Sequence, residues 1–208
     1  MDWIEKEDGF RAEAGGFTLA ANPKDLRKGL QVSRGGQDLM EAFRLPENLW
    51  KEQAEGSYLR GCDLFAAFQG QQQFAECYWR LWDSHTDSLS LEYIVSLRSG
   101  LQDGGNLGFS AGIQTGVRFQ LNPSASGAYV CQELRLGLAL LVHPSDQGEM
   151  QVLEKEDGFL IKSSTPDMER GVIRRLRMVL HLCSGIPGEK ALAEIRDRFA
   201  ESEIPLTT

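Results

Sequence analysis

Hydrophobic and polar residues alternate along much of the chain. In LSLEYIVSLRS, residues 89–99, every second position from 89 to 97 is apolar, and Ile94 is the one apolar residue in the polar set between them. The same alternation runs through residues 134–142, and a shorter case covers residues 17–21. Successive side chains of a strand point to opposite faces, so these runs predict strands with one face in a core.

Turn signals rich in glycine separate the alternating runs. They are GG at 15–16, 35–36 and 104–105, DG at 8–9, 103–104 and 157–158, and NPSASG at 122–127. Many strands between such turns indicate antiparallel pairing. The sequence therefore predicts an α+β fold of mainly antiparallel strands, a twisted β-sandwich or partly closed barrel, in one domain over residues 1–208.

A helix is predicted at the C-terminus, over about residues 187–203. Pro187 opens the segment PGEKALAEIRDRFAESE, in which Leu192, Ile195 and Phe199 form an apolar stripe among charged residues. This spacing is typical of an amphipathic helix packed on a sheet. A second, short helix fits residues 38–43.

The segment STPDMERGVIRRLRMVLHLCSG, residues 164–185, fits either a helix or a strand. Thr165 and Pro166 form a helix start, whereas Gly171 is unfavourable within a helix. As a strand, the segment turns one set of residues to the core, namely Val172, Leu176, Met178, Leu180 and Leu182, and another set outwards, namely Arg175, Arg177 and His181.

The hexapeptide EKEDGF occurs twice, beginning at Glu5 and at Glu154. The copies lie much more than half a chain apart and their flanking sequences differ, which argues against a tandem duplication. Asp-Gly is a favoured pair in tight hairpins. We interpret the repeat as the same turn used in two hairpins.

Composition restricts the possible partners. The formal charge of −8 argues against binding to nucleic acid or to an anionic membrane. The N-terminus lacks the features of a signal peptide, and no apolar run reaches 18 residues, so we expect a soluble cytoplasmic protein. The cysteines are scattered, without metal-ligand spacing, and therefore predict no metal site: Cys62, Cys77, Cys131 and Cys183.

No common catalytic motif is present in the sequence, so we expect no cofactor and favour a protein that is not an enzyme. The segment VHPSD, residues 142–146, contains a histidine, a serine and an aspartate, the residue types of a catalytic triad. Triads are usually assembled from distant segments, and Pro144 followed by Ser145 and Asp146 suits a turn. We interpret VHPSD as a turn after a strand.

FAECYWRLWD, residues 74–83, is the best candidate for a binding surface. As a strand it places four residues on one face that suit a sugar-stacking platform, Glu76, Tyr78, Arg80 and Trp82. The opposite face holds Ala75, Cys77, Trp79 and Leu81. The alternative is a central strand covered on both sides, with its aromatic residues in the core.

The arginines near residue 175 form the only basic cluster. Arg175 and Arg177 would provide an interaction surface for an acidic partner. The alternative is a solvated face that pairs with the excess of carboxylates in the chain.

Several segments together resemble an uncharacterised family of bacterial β-rich proteins. They are YLRGCDLFAAF (58–68), YWRLWD (78–83), IVSLRSGLQD (94–103), LLVHPSD (140–146), ERGVIRRLRM (169–178) and RFAESEIPLTT (198–208). The resemblance implies a single β-rich domain with a C-terminal helix, and it favours a strand for residues 169–183. Cys62 stands where the resemblance leads us to expect an acidic residue. The resemblance implies no catalytic residue.

Together these features favour a non-enzymatic binding or interaction protein. The alternative is a carbohydrate-binding or carbohydrate-active protein that uses the aromatic strand at 74–83. The partner would accordingly be a protein or a small molecule such as a saccharide.

Overall fold

The structure of the protein is a computed structural model. The structure describes residues 2–47, 50–53, 56–70, 73–100, 105–121, 128–169 and 171–203. The predicted turn at 122–127 lies outside these residues, as does the DG pair at 103–104.

Within the described ranges, seventeen strands form two antiparallel sheets. Sheet A contains eight strands in the order β1-β2-β3-β4-β5-β11-β16-β15. Their bounds are β1 Ile4–Lys6, β2 Gly9–Ala14, β3 Phe17–Ala21, β4 Leu30–Arg34, β5 Gln37–Arg44, β11 Gly105–Thr115, β15 Met150–Lys155 and β16 Gly158–Met168.

Sheet B contains nine strands, in the order β12-β13-β14-β17-β10-β9-β8-β6, with β7 also paired to β8. Their bounds are β6 Trp50–Gln53, β7 Tyr58–Arg60, β8 Asp63–Gly70, β9 Gln73–His85, β10 Ser88–Ser99, β12 Gln120–Leu121, β13 Ala128–Cys131, β14 Leu136–Val142 and β17 Ile173–Ser184.

The main core lies between the two sheets. The alternating residues of β10 that were predicted to face it, Leu89, Leu91, Tyr93, Val95 and Leu97, are all buried there, together with side chains from sheet A. The predicted α+β fold with mainly antiparallel strands is confirmed as a β-sandwich with a C-terminal helix. Across the described residues the sheets remain two separate layers, so the barrel alternative is wrong. The assignment of one domain to residues 1–208 stays a prediction.

Helix α1 spans Glu189–Glu201 and packs on the outer face of sheet B. The predicted stripe of Leu192, Ile195 and Phe199 is buried against a second apolar cluster, formed by Ala128, Ala139, Leu141 and Val179. The helix begins two residues later than Pro187 because Gly188 is its N-cap. No helix among the described residues is long and apolar enough to cross a membrane.

Residues 173–184 form strand β17, in the centre of sheet B. Leu176, Met178, Leu180 and Leu182 face the core, as the strand interpretation predicted. Val172 does not: it lies before the strand and is exposed. The short helix suggested for residues 38–43 is also wrong, because these residues pair with β4 as part of β5.

The two EKEDGF segments form the same hairpin at the two edges of sheet A. In each, Glu-Asp makes the turn and lysine pairs with glycine, Lys6 with Gly9 and Lys155 with Gly158. The glycines have φ of 138° and 149°, and a Cβ there would collide with a backbone carbonyl of the neighbouring strand. One turn used twice is therefore confirmed, although the turn residues are Glu-Asp and not Asp-Gly.

Candidate functional site

The strand β9 places its two predicted sets of side chains on opposite faces of sheet B. Ala75, Cys77, Trp79 and Leu81 are buried in the core between the sheets. Glu76, Tyr78, Arg80 and Trp82 lie on the outer face and are half-buried. Among the described residues, the ring contacts between helix α1 and this strand are all made by Trp82, near the end of the strand.

Trp82 is separated from the other three residues by its contacts with the helix. Its ring meets Phe199 edge-on, with centroids 5.9 Å apart, and the Arg198 guanidinium carbon lies 5.1 Å from the ring centroid. A side chain packed in this way supports the helix, and it does not present a flat open ring for stacking.

A row of three aromatic rings crosses the part of the outer face beyond the helix. Strand pairing aligns Tyr58 with Phe65 and Phe65 with Tyr78. The ring centroids of the first pair are 4.5 Å apart and those of the second 4.9 Å apart. Tyr58 is 47% exposed, whereas Phe65 is buried between its neighbours. We call Tyr58, Phe65 and Tyr78 the aromatic row.

Sequence reasoning missed Tyr58 and Phe65. A signal was available in YLRGCDLF, where Gly61 and Cys62 form a two-residue hairpin turn between Arg60 and Asp63. Counting outwards from that turn pairs Tyr58 with Phe65. Paired residues of a hairpin lie on the same face of the sheet, so the two rings are expected to be neighbours.

Arg80 is held by a two-point ion pair beside the aromatic row. Its Nε and Nη2 donate to the two carboxylate oxygens of Asp63 at 2.6 and 2.7 Å. Both side chains are partly exposed, at 20% and 11%. The bidentate geometry fixes the guanidinium plane and leaves its remaining N–H groups as oriented donors.

The hydroxyl of Tyr78 lies among several ionisable groups. Burial, and after it the negative charge of Glu76, raises the pKa of Tyr78 to about 12, while Arg175 acts in the opposite direction. Ser96 sits between Glu76 and Arg175 in the strand register. Its Oγ is buried, and it has no hydrogen-bond partner among the described residues. The aromatic row is thus surrounded by positively charged donors, by negatively charged acceptors and by the neutral hydroxyl of Ser96.

The two arginines of the predicted interaction surface differ in burial. Arg175 is half-buried on the outer face, whereas Arg177 is 2% exposed and its guanidinium binds Glu92 and Ser202. A surface for an acidic partner would therefore depend on Arg175. This role stays a prediction.

The VHPSD segment forms a 3-10 turn after β14, as expected. Ser145 Oγ lies 2.8 Å from His143 Nδ1 and donates to Asp146 at 2.9 Å. Asp146 also accepts from the backbone N–H of Arg177 and from Arg174. The serine lies between the other two groups, whereas a nucleophilic triad needs the histidine there. Among the described residues, no cluster of three or more His, Cys, Asp or Glu side chains could hold a metal ion.

Comparisons with known proteins found distant structural similarity only. No family model matches the chain, and no curated protein matches it. Similar solved structures include a heparinase III, the BT4657 gene product, with a TM-score of 0.47, and the heparan sulfate lyase HepC from Pedobacter heparinus, with a TM-score of 0.44. Each is 9% identical in sequence. The matches cover 88% and 89% of this chain but only 36% and 37% of those proteins.

Proposed function

We propose that this protein is a non-enzymatic binding protein whose ligand is a saccharide held on the aromatic row. The observation that carries the proposal is the row itself, in which Tyr58 and Tyr78 flank the buried ring of Phe65 on the outer face of sheet B, with Arg80 fixed beside them. Aromatic rings offer a rigid apolar surface to the C–H faces of a sugar ring.

The polar groups around the row suit hydroxyl groups of a sugar. Glu76 and Asp63 supply acceptors, and Arg80 supplies donors whose direction is set by Asp63. Charged partners of this kind make the stronger hydrogen bonds to a ligand. Saccharides display many hydroxyls that both donate and accept, so a mixed set of groups favours them over a ligand of a single charge.

The proposed site differs from the one the sequence favoured. Tyr78, Arg80 and Glu76 remain in it, while Trp82 is replaced by Tyr58 as the exposed ring because Phe199 and Arg198 occupy the surroundings of Trp82.

The proposal is tested by a thermal-shift screen of the purified protein against neutral and acidic oligosaccharides. A ligand at about a hundred times its Kd adds about 2.7 kcal/mol to the folded state, which raises the melting temperature by a few degrees. We expect at least one oligosaccharide to give this shift, and we expect Tyr58→Ala to abolish it. The exposure of Tyr58 means that the substitution should leave the fold intact.

Leu121→Ala is the matched control, since Leu121 is an exposed apolar residue at the opposite edge of sheet B. It should leave the shift unchanged. A shift that survives in Tyr58→Ala would place the ligand elsewhere. If no oligosaccharide binds, the proposed class of ligand is wrong, and a protein ligand becomes the next hypothesis. An assay for newly formed reducing ends, which we expect to stay negative, separates binding from cleavage.

A further inference from the structure

A groove of about 720 Å³ runs between helix α1 and the outer face of sheet B. It shares no residue with the aromatic row. Ser88, His181 and Cys183 line its sheet side, and Ile186, Ala191 and Glu194 line its helix side. This volume lies within the range of pockets that hold small molecules.

The groove exists because the helix fills only one side of its contact with the sheet. On that side, large residues of the stripe pack on Ala139 and Val179. On the other side the groove is lined by the N-cap Gly188 and by the exposed Ala191, which place little side-chain volume between the helix and the sheet. The preceding loop is pressed onto β14, where a Cβ on Gly137 would collide with Pro187, and Ile186 is left 67% exposed at the rim.

The imidazole in the groove is held in a fixed orientation. His181 is 7% exposed, and its Nδ1 lies 2.9 Å from the hydroxyl of Ser90, which is itself buried. This contact fixes the plane of the imidazole at the bottom of the groove.

The other polar groups of the groove include negatively charged, positively charged and neutral side chains, and they can both donate and accept hydrogen bonds. Glu194 and Asp197 carry negative charge and Arg198 positive charge. The hydroxyl of Ser184 accepts from Arg34 at 2.6 Å, which leaves its own hydrogen available as a donor. Ile186, Pro187 and Ile195 provide an apolar wall.

We propose that this groove binds a small neutral polyol, such as one monosaccharide unit or a cyclitol. A polyol has an apolar ring face and hydroxyls that donate and accept, and it carries no charge that would favour one sign of lining residue. The site is independent of the aromatic row and does not rest on the function proposed for it.

Saturation-transfer NMR on the full chain tests the proposal, with D-glucose, D-galactose and myo-inositol as probes. We expect transfer to at least one probe in the unmodified protein. Ala191→Trp should place an indole ring in the groove and weaken this binding by tenfold or more. Ala200→Trp, at another exposed alanine near the other end of the same helix, should leave it unchanged.

Two further variants keep the test decisive. Glu194→Gln removes an exposed charged acceptor without disturbing packing and should weaken binding on the order of tenfold. Tyr58→Ala, which removes the exposed ring of the aromatic row, should leave the transfer that depends on Ala191 and Glu194. Absence of transfer to all three probes overturns the proposal, as does full binding in Ala191→Trp. Loss of transfer in Tyr58→Ala with full binding in Glu194→Gln also overturns it, because the probes would then occupy the aromatic row.

Discussion

Arg177 binds Glu92 on the neighbouring strand and the end of helix α1 with one guanidinium group. Its Nε donates to Glu92 Oε1 at 2.7 Å, and its two Nη atoms donate to the carbonyl and the hydroxyl of Ser202 at 2.9 and 2.7 Å. Both charged side chains are almost fully buried. The ion pair thus fastens the C-terminal end of the helix to the centre of sheet B.

Loss of one partner of this pair should be costly. Glu92→Gln leaves the buried Arg177 charge without a counter-ion, and we expect the free energy of unfolding to fall by about 3–5 kcal/mol. Burial raises the pKa of Glu92, and the positive charge of Arg177 lowers it. Because burial has the larger effect, holding the Glu92 carboxylate charged in this position already costs desolvation energy. The double variant Glu92→Leu with Arg177→Met should therefore lose much less stability. Urea denaturation measures all of these values.

An exposed ion pair provides the control for this experiment. Asp8 and Arg11 lie 3.4 Å apart at the surface of sheet A. Asp8→Ala should change the free energy of unfolding by no more than about 1 kcal/mol. A loss in Glu92→Gln as small as this one would contradict the role assigned to the buried pair.

The glycines of the two EKEDGF hairpins should be intolerant of substitution. A Cβ at Gly9 would collide with the carbonyl of Ala21, and one at Gly158 with the carbonyl of Ile113. Their positive φ adds backbone strain, so each change to alanine should cost about 1–3 kcal/mol or more. Gly148→Ala, in open space, should cost less than about 0.5 kcal/mol. Urea midpoints of the three variants decide the matter, and equal midpoints would refute a structural need for glycine.

Local periodicity was sufficient to predict the elements that have one buried face. The period of two in β10 and the spacing of Leu192, Ile195 and Phe199 both appear in the structure as predicted. The segment at 38–43 shows the limit of this reasoning. Its apolar residues also suit a helix, and only pairing with β4 and β11 makes it a strand.

The candidate site depended on contacts between distant segments. The pattern of β9 shows which side chains share a face, but it does not show that Phe199 and Arg198 of α1 pack on Trp82. The burial of Arg177 was equally hidden, since its partner Glu92 is 85 residues away in sequence. An arginine in an alternating strand is expected at the surface unless such a partner is known.

The pKa of Tyr78 predicts a loss of stability at alkaline pH. Its folded-state value, about 12, exceeds the ordinary value of 10 mainly because of burial. The stability linked to this group is therefore fully present below pH 10 and is lost as the pH rises through 12. Tyr78→Phe should remove this contribution, so its stability should fall less between these pH values than that of the unmodified protein.

Titration of phenolate absorbance gives a direct check of the same group. Tyr78→Phe should reduce the absorbance change near pH 12, to which Tyr129 also contributes, by the amplitude of one tyrosine. If the variant instead loses a step near pH 10, the tyrosine is more solvated than the structure indicates.

Phe199 should be the main anchor of helix α1. Its buried ring meets Trp82 and His143 edge-on, and the Arg177 guanidinium carbon lies 5.2 Å from its centroid. Phe199→Ala should lower the free energy of unfolding by about 3–5 kcal/mol in urea denaturation, because it removes the ring that these groups contact.

Phe199→Ala should also shift tryptophan emission to the red. Trp82 is the half-buried one of the four tryptophans, and it would lose the ring that covers it. Glu194→Ala, on the exposed side of the same helix, should change stability by less than about 0.5 kcal/mol and leave emission unchanged. Emission that stays constant in Phe199→Ala would show that Trp82 does not depend on the helix, and Trp82 would then return to the set of open aromatic residues beside Tyr78.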